Sequence, residues 1–168
     1  MIAGECGQSK YVKLRLFGQP PEKLNFMGSP SFNSIPVTRR STYYIVDDDK
    51  DDQNFLIEAL TANDQNVQCF TSPNGKLAIH DLSTGINPLP DAIFLDLNMP
   101  KFNGKQCLAE LKRTPSLQHI PVVIYSTSSY KKELDETLKM GAAYFIIKKS
   151  NIKELREELS VIMAELNA

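Results

Sequence analysis

The chain has 168 residues, 42% hydrophobic and 23% charged, with a net charge of −1, the profile of one ordinary globular domain with some surplus length. No apolar run approaches the length of a membrane span, and the first twenty residues lack a continuous apolar stretch, which argues against a signal peptide. Residues 1–41 hold six Lys/Arg against two Asp/Glu and the remainder 13 against 18, so the body is acidic and does not suit a nucleic-acid surface.

Up to about Ser41 no period of 2 or 3.6 residues is sustained, and four Gly and four Pro interrupt the segment. Stretches such as GQPPEK and GSPSFNSIP read as loop or disorder. The brief alternation Tyr11–Phe17 has nothing to bury against as a lone strand. The expected organisation is therefore a disordered tail over 1–41 and a folded body over 42–168. A segment that folds on a partner, or an internal start at Met27, are the alternatives. Cys6, Cys69 and Cys107 form no CxxC pair and are odd in number, which fits neither a disulfide framework nor a zinc site and suits a reducing cytoplasm.

From Thr42 the pattern becomes regular. Short apolar runs at 42–46, 67–70, 92–95, 122–125 and 143–147 read as strands, and the longer segments 51–63, 73–84, 104–113, 130–140 and 150–166 read as helices. Phe55, Leu56, Ala59 and Leu60 fall on one face of the first helix. Ile152, Leu155, Leu159, Ile162 and Leu166 recur every three or four residues in the last. Ser150 or Asn151 is placed to cap that helix, and Gly141 to stop the fourth. Five strands alternating with five helices predict an α/β doubly wound parallel sheet, order 2-1-3-4-5, with helices on both faces.

In such sheets ligands bind beyond the carboxyl ends of the strands. Asp47, Asp48 and Asp49 follow the first strand, Asp96 the third, Ser126-Thr127 the fourth and Lys148-Lys149 the fifth. Two carboxylates about 4 Å apart repel by about 4 kcal/mol at an effective dielectric of about 20. Without relief, one of them takes up a proton. A divalent cation removes the conflict, and oxygen-only ligands at this charge density suit Mg²⁺. Asp96 is then a carboxylate nucleophile toward phosphorus, with Lys148 and Ser126 contacting phosphoryl oxygens. Each feature has a plainer reading when taken alone: Asp47 to Asp52 as the acidic first turn of a helix, Ser126 as a loop hydroxyl, the lysines as surface charge. Their joint occurrence at the strand ends favours the site. His80 and His119 lack a partner pattern, and Asn103-Gly104 reads as a turn.

VDDD after the first strand, FLDLNMPKFNG around the third, PVVIYSTS at the fourth and GAAYFIIKK at the fifth resemble the receiver domain of bacterial response regulators, from Thr42 to the C-terminus. The resemblance implies that Asp47 and Asp48 are the acidic pair at the metal and that Asp96 is the phosphoacceptor. It implies that Asn98 lends its backbone carbonyl to the metal, that Ser126 is the hydroxyl switch, that Lys148 is the family's lysine and that Phe145 takes its rotating aromatic position. It further implies a phosphorelay role without metabolite turnover. The donor would be a histidine kinase or histidine phosphotransfer protein. The output would pass to a protein target or a second copy through the fourth helix, fifth strand and fifth helix. The absence of a following domain resembles the stand-alone receivers of chemotaxis or bacterial phytochromes.

Three positions depart from the family pattern. Lys149 replaces the usual Pro, and a cis bond without Pro costs roughly 3 kcal/mol, so Lys149 is the substitute candidate for Lys148. Thr127 replaces a small residue and narrows access. Phe145 lacks the hydroxyl of the common Tyr. Rival functions are a pseudo-receiver scaffold, an Asp-nucleophile phosphohydrolase and an FMN carrier. The phosphohydrolase requires a second Asp where Asn98 stands, and the FMN carrier requires a phosphate loop where DDDKDD would repel phosphate.

Overall fold

The computed structural model describes residues 40–100 and 102–167. The tail expected over 1–41, with Tyr11–Phe17, Met27 and Cys6, lies outside the described residues apart from Arg40 and Ser41. Strands β1 (Thr42–Val46), β2 (Gln68–Ser72), β3 (Ala92–Leu95), β4 (Val122–Ser126) and β5 (Tyr144–Ile147) alternate with helices α1 (Lys50–Asn63), α2 (Gly75–Thr84), α3 (Gly104–Arg113), α4 (Lys131–Lys139) and α5 (Ile152–Leu166). The strands form one sheet of order β2-β1-β3-β4-β5, parallel at every pairing.

Successive strand residues point to opposite faces, and both faces are covered. Tyr44, Val46, Ile93, Leu95, Ile124 and Phe145 pack on one face with Ala78 and Leu82 of α2, Leu108 and Leu111 of α3 and Leu138 of α4. Tyr43, Ile45, Phe94, Val123, Tyr125 and Ile146 pack on the other with Leu56, Ala59 and Leu60 of α1 and Leu155, Leu159 and Ile162 of α5. The periodic faces read from the sequence are thus the buried ones, except that Phe55 of α1 and Ile152 and Leu166 at the ends of α5 are only half-buried.

Element ends differ from the expected ones where hydrogen bonding decides them. β2 runs on to Ser72 because that residue still pairs with Val46 of β1. α2 starts later, at Gly75, because the Asn74 side chain accepts from the Leu77 N–H and fixes the first turn there. Asn151 rather than Ser150 caps α5, its side chain accepting from the Lys153 N–H. Gly141, at φ 101°, follows α4 in a backbone conformation that other residues rarely adopt.

Candidate functional site

Val46 of β1 pairs with Ser72 of β2 and Leu95 of β3, so these three strands end level, while β4 and β5 run two residues further along the same edge, which gathers the charged residues. Pairing continues one residue past β1 and β3. The Asp47 N–H donates to the Ser72 carbonyl at 3.1 Å, and the Asp96 N–H to the Val46 carbonyl at 2.9 Å. The two aspartates therefore stand side by side at the carboxyl edge of the sheet. Lys148 is carried in from β5, its N–H donating to the Ser126 carbonyl at 2.8 Å.

Ligand oxygens of Asp47, Asp48 and Asp96 lie within 4.8 Å of one another. Asp47 and Asp96 are buried and Asp48 is exposed. Asp47 is fixed from two sides: its Oδ1 accepts from the Asp49 N–H at 2.9 Å, and its carbonyl accepts from Gln53 Nε2 at 2.6 Å. Asp96 Oδ1 is buried with no hydrogen-bond partner among the described residues. An unpartnered buried carboxylate oxygen is costly, and a cation between these oxygens would satisfy it. The donor set is all oxygen, so the group fits a hard divalent metal.

Lys148 supplies the opposing charge. Its Nζ lies 2.8 Å from Asp47 Oδ2, 2.6 Å from Asp52 Oδ2 and 3.6 Å from Asp96 Oδ2, with its side chain only 8% exposed. The Tyr125 ring lies 5.5 Å from the ammonium, within cation–π range. Burial alone would lower the pKa of Lys148, but the bonds to Asp47 and Asp52 and the charge of Asp96 outweigh it and hold it above the ordinary lysine value. Burial pushes the Asp47 carboxyl up, and its hydrogen bonds to Lys148 and the Asp49 N–H only partly offset this.

The substitute candidate Lys149 is elsewhere, pairing with Glu158 at 3.4 Å. Lys148 reaches the carboxylates although every peptide bond among the described residues is trans. Ser126 is fully buried at the end of β4. Asn98 Nδ2 donates to Ser126 Oγ at 3.3 Å and to Thr127 Oγ1 at 3.0 Å. The Asn98 side chain thus spans from the loop after β3 to the end of β4. Phe145 is 2% exposed and lies in the core.

Two contributors escaped the sequence reading. Asp52 was visible only as part of an acidic run. The N-cap at Asp49, which accepts from the Asp51 and Asp52 N–H groups, sets the helical phase that brings Asp52 to Lys148. Gly104 read as a turn residue, yet a Cβ there would lie 2.2 Å from the Asp96 carbonyl oxygen and 2.6 Å from Leu97 Cα. The start of α3 is pressed against the backbone that carries Asp96, and only glycine permits that approach.

The family model for the response regulator receiver domain matches residues 44–160. The chain belongs to this family. Response regulator Rcp1 of Synechocystis is 30% identical over 115 residues, covering 66% of this chain and 78% of Rcp1. Among solved structures, the phosphorylated cyanobacterial phytochrome response regulator RcpA is 29% identical with a TM-score of 0.70, covering 77% of this chain and 96% of that one. The Mn²⁺-bound form of Rcp1 is 28% identical with a TM-score of 0.65, covering 74% and 92% respectively. This receiver is therefore a two-component signalling domain, and no helix among its described residues is long and apolar enough to cross a membrane.

Proposed function

We propose that this receiver takes a phosphoryl group on Asp96 from the phosphohistidine of a histidine kinase or histidine phosphotransfer protein. The observation that carries the reading is the buried Asp96 carboxylate, with one unpartnered oxygen, set between Asp47, Asp48 and the Lys148 ammonium. Mg²⁺ is the proposed cofactor, held by Asp47, Asp48, Asp96 and the backbone carbonyl of Asn98. Bound there, it supplies charge neutralisation and a Lewis acid for a phosphoryl oxygen.

An Asp96 oxygen forms the new P–O bond while the P–N bond of the donor breaks. The leaving imidazole keeps the electron pair and takes up a proton. Lys148 neutralises charge on a phosphoryl oxygen and the Ser126 hydroxyl donates to another, which is the positioning that phosphoryl transfer chiefly needs. Hydrolysis reverses the state: water attacks phosphorus, the P–O bond to Asp96 breaks and the carboxylate is restored. The domain turns over no metabolite.

Ser126 Oγ accepts from Asn98 Nδ2, which leaves its O–H free to donate, and as Ser126 turns to a phosphoryl oxygen the bridge to Asn98 moves with it. That movement shifts the loop between β4 and α4. We place the output surface on α4, β5 and α5, toward a protein target or a second copy, with Phe145 adjusting its packing as the second switch residue. The exposed Tyr130 at the start of α4 and the charged α4 surface fit a protein partner rather than nucleic acid. Free Cys69 and Cys107 suit the reducing cytoplasm where such relays operate.

The test uses the full chain with Mg²⁺ and acetyl phosphate, followed by intact mass. One added phosphoryl group is expected in the wild type and none in Asp96→Asn or in the presence of a chelator. An unmodified wild type, or equal modification of Asp96→Asn, overturns the assignment.

A further inference from the structure

We propose that Asp52 is a positioning residue that tethers Lys148 and competes with the phosphoryl group for it. The proposal rests on the reading of Asp96 as phosphoacceptor. An ammonium has three N–H donors. Lys148 spends one on Asp47 at 2.8 Å and one on Asp52 at 2.6 Å, while Asp96 stands at 3.6 Å, beyond hydrogen-bond range. The shortest of the three contacts is therefore to a residue outside the cation-holding group of Asp47, Asp48 and Asp96.

Asp52 is placed there by the helix start. Its N–H donates to the capping Asp49 side chain at 3.3 Å, which fixes the first turn of α1. From that turn the carboxylate reaches across to β5's end. An acidic residue in the first turn is favoured by the helix dipole alone, but that effect does not require a bond to Lys148. One donor stays unspent, but the two short bonds hold the ammonium 3.6 Å from Asp96, so moving close enough to a phosphoryl oxygen there pulls against the bond to Asp52.

The two tethers differ in what can release them. Asp47 is 2% exposed, whereas the Asp52 side chain is 38% exposed and can be rehydrated. When a phosphoryl group adds negative charge beside Asp96, the ammonium turns toward it and gives up Asp52. The unphosphorylated state is thereby stabilised, and Asp52 sets how readily the site accepts and keeps a phosphoryl group.

Beryllofluoride, a phosphoryl mimic, is titrated into the full chain at saturating Mg²⁺ and followed by ¹⁹F NMR. Asp52→Asn is expected to bind about fivefold more tightly than wild type, the scale of exchanging a charge-assisted hydrogen bond for a neutral one. Asp52→Glu retains the charge and should stay close to wild type. The gain must vanish in a Lys148→Met background, because the tether is then gone. Equal or weaker binding by Asp52→Asn overturns the tether, as does a gain that persists without Lys148. A wild type that binds no beryllofluoride instead removes the Asp96 reading, and the tether with it.

Discussion

Lys148→Met should destabilise the metal-free protein by about 3 kcal/mol at neutral pH, because removing one member of a buried ion pair leaves its partner charged and unpaired. The partner left unpaired is Asp47, which is 2% exposed and bonded to Lys148 at 2.8 Å. Burial already raises its pKa, and Lys148 is the principal group pulling it back. Without the lysine that pKa rises further. A carboxyl whose folded pKa lies above its unfolded value destabilises as pH rises from the unfolded pKa through the folded one, and the loss is full above both. The variant should therefore melt closest to wild type in mild acid and fall behind as the pH approaches 7. Mg²⁺ should restore much of the difference by replacing the missing positive charge. Melting curves from pH 5 to pH 8, with and without Mg²⁺, check this. A deficit that is constant across the range and insensitive to Mg²⁺ would mean lost packing around Tyr125 rather than lost charge.

Gly104→Ala should cost about 3 kcal/mol, the upper end of overpacking penalties, and should also disable Asp96. The added carbon would meet the Asp96 carbonyl oxygen at 2.2 Å, Leu97 Cα at 2.6 Å and the Asp96 carbonyl carbon at 2.9 Å. All three are backbone atoms, so no rotamer change relieves the clash. Either α3 lifts or the loop after β3 moves, and the loop movement takes Asp96 out of register with Asp47. The Gly104 N–H also donates to the Leu97 carbonyl at 3.1 Å, a bond that the displacement would break. Gly85→Ala is the control. Gly85 ends α2 at φ 74° with nothing near its Cβ position, so its cost is conformational, about 1 kcal/mol, and phosphoryl uptake should be unaffected. Denaturant unfolding combined with acetyl phosphate labelling separates the two. Equal labelling by Gly104→Ala and wild type would show that this close approach does not position Asp96.

The sheet was readable because β1, β3, β4 and β5 are buried on both faces and so stand out as short apolar runs, such as Ala92–Leu95 in β3. Strand order followed from the alternation of strands and helices under handedness rules. Site geometry was readable where a charged residue directly follows a strand, as with Asp47, Asp96 and Lys148, since strand ends in a parallel sheet converge. What the sequence left open depends on angle and distance. Whether Lys148 or Lys149 enters the site is decided by backbone direction after β5, and the pairing of Lys149 with Glu158 is a tertiary outcome. Asp52 needed the phase of α1, which rests on one capping residue within a run of six Asp and Lys residues. Asn98 entered as a backbone ligand, while its side-chain bridge to Ser126 and Thr127 depends on two loops meeting. Gly104 depends on a contact with backbone eight residues earlier, which composition does not record.

The proposal that separate segments of the chain meet to hold one cation beside a reactive carboxylate is tested directly by a crystal structure of the full chain with Mg²⁺ and beryllofluoride. It should show magnesium bound by oxygens of Asp47, Asp48 and Asp96, beryllium on an Asp96 oxygen, and the Lys148 ammonium turned to a fluoride. Magnesium and beryllofluoride absent from these carboxylates, with both present in the crystal at saturating concentration, would contradict the account.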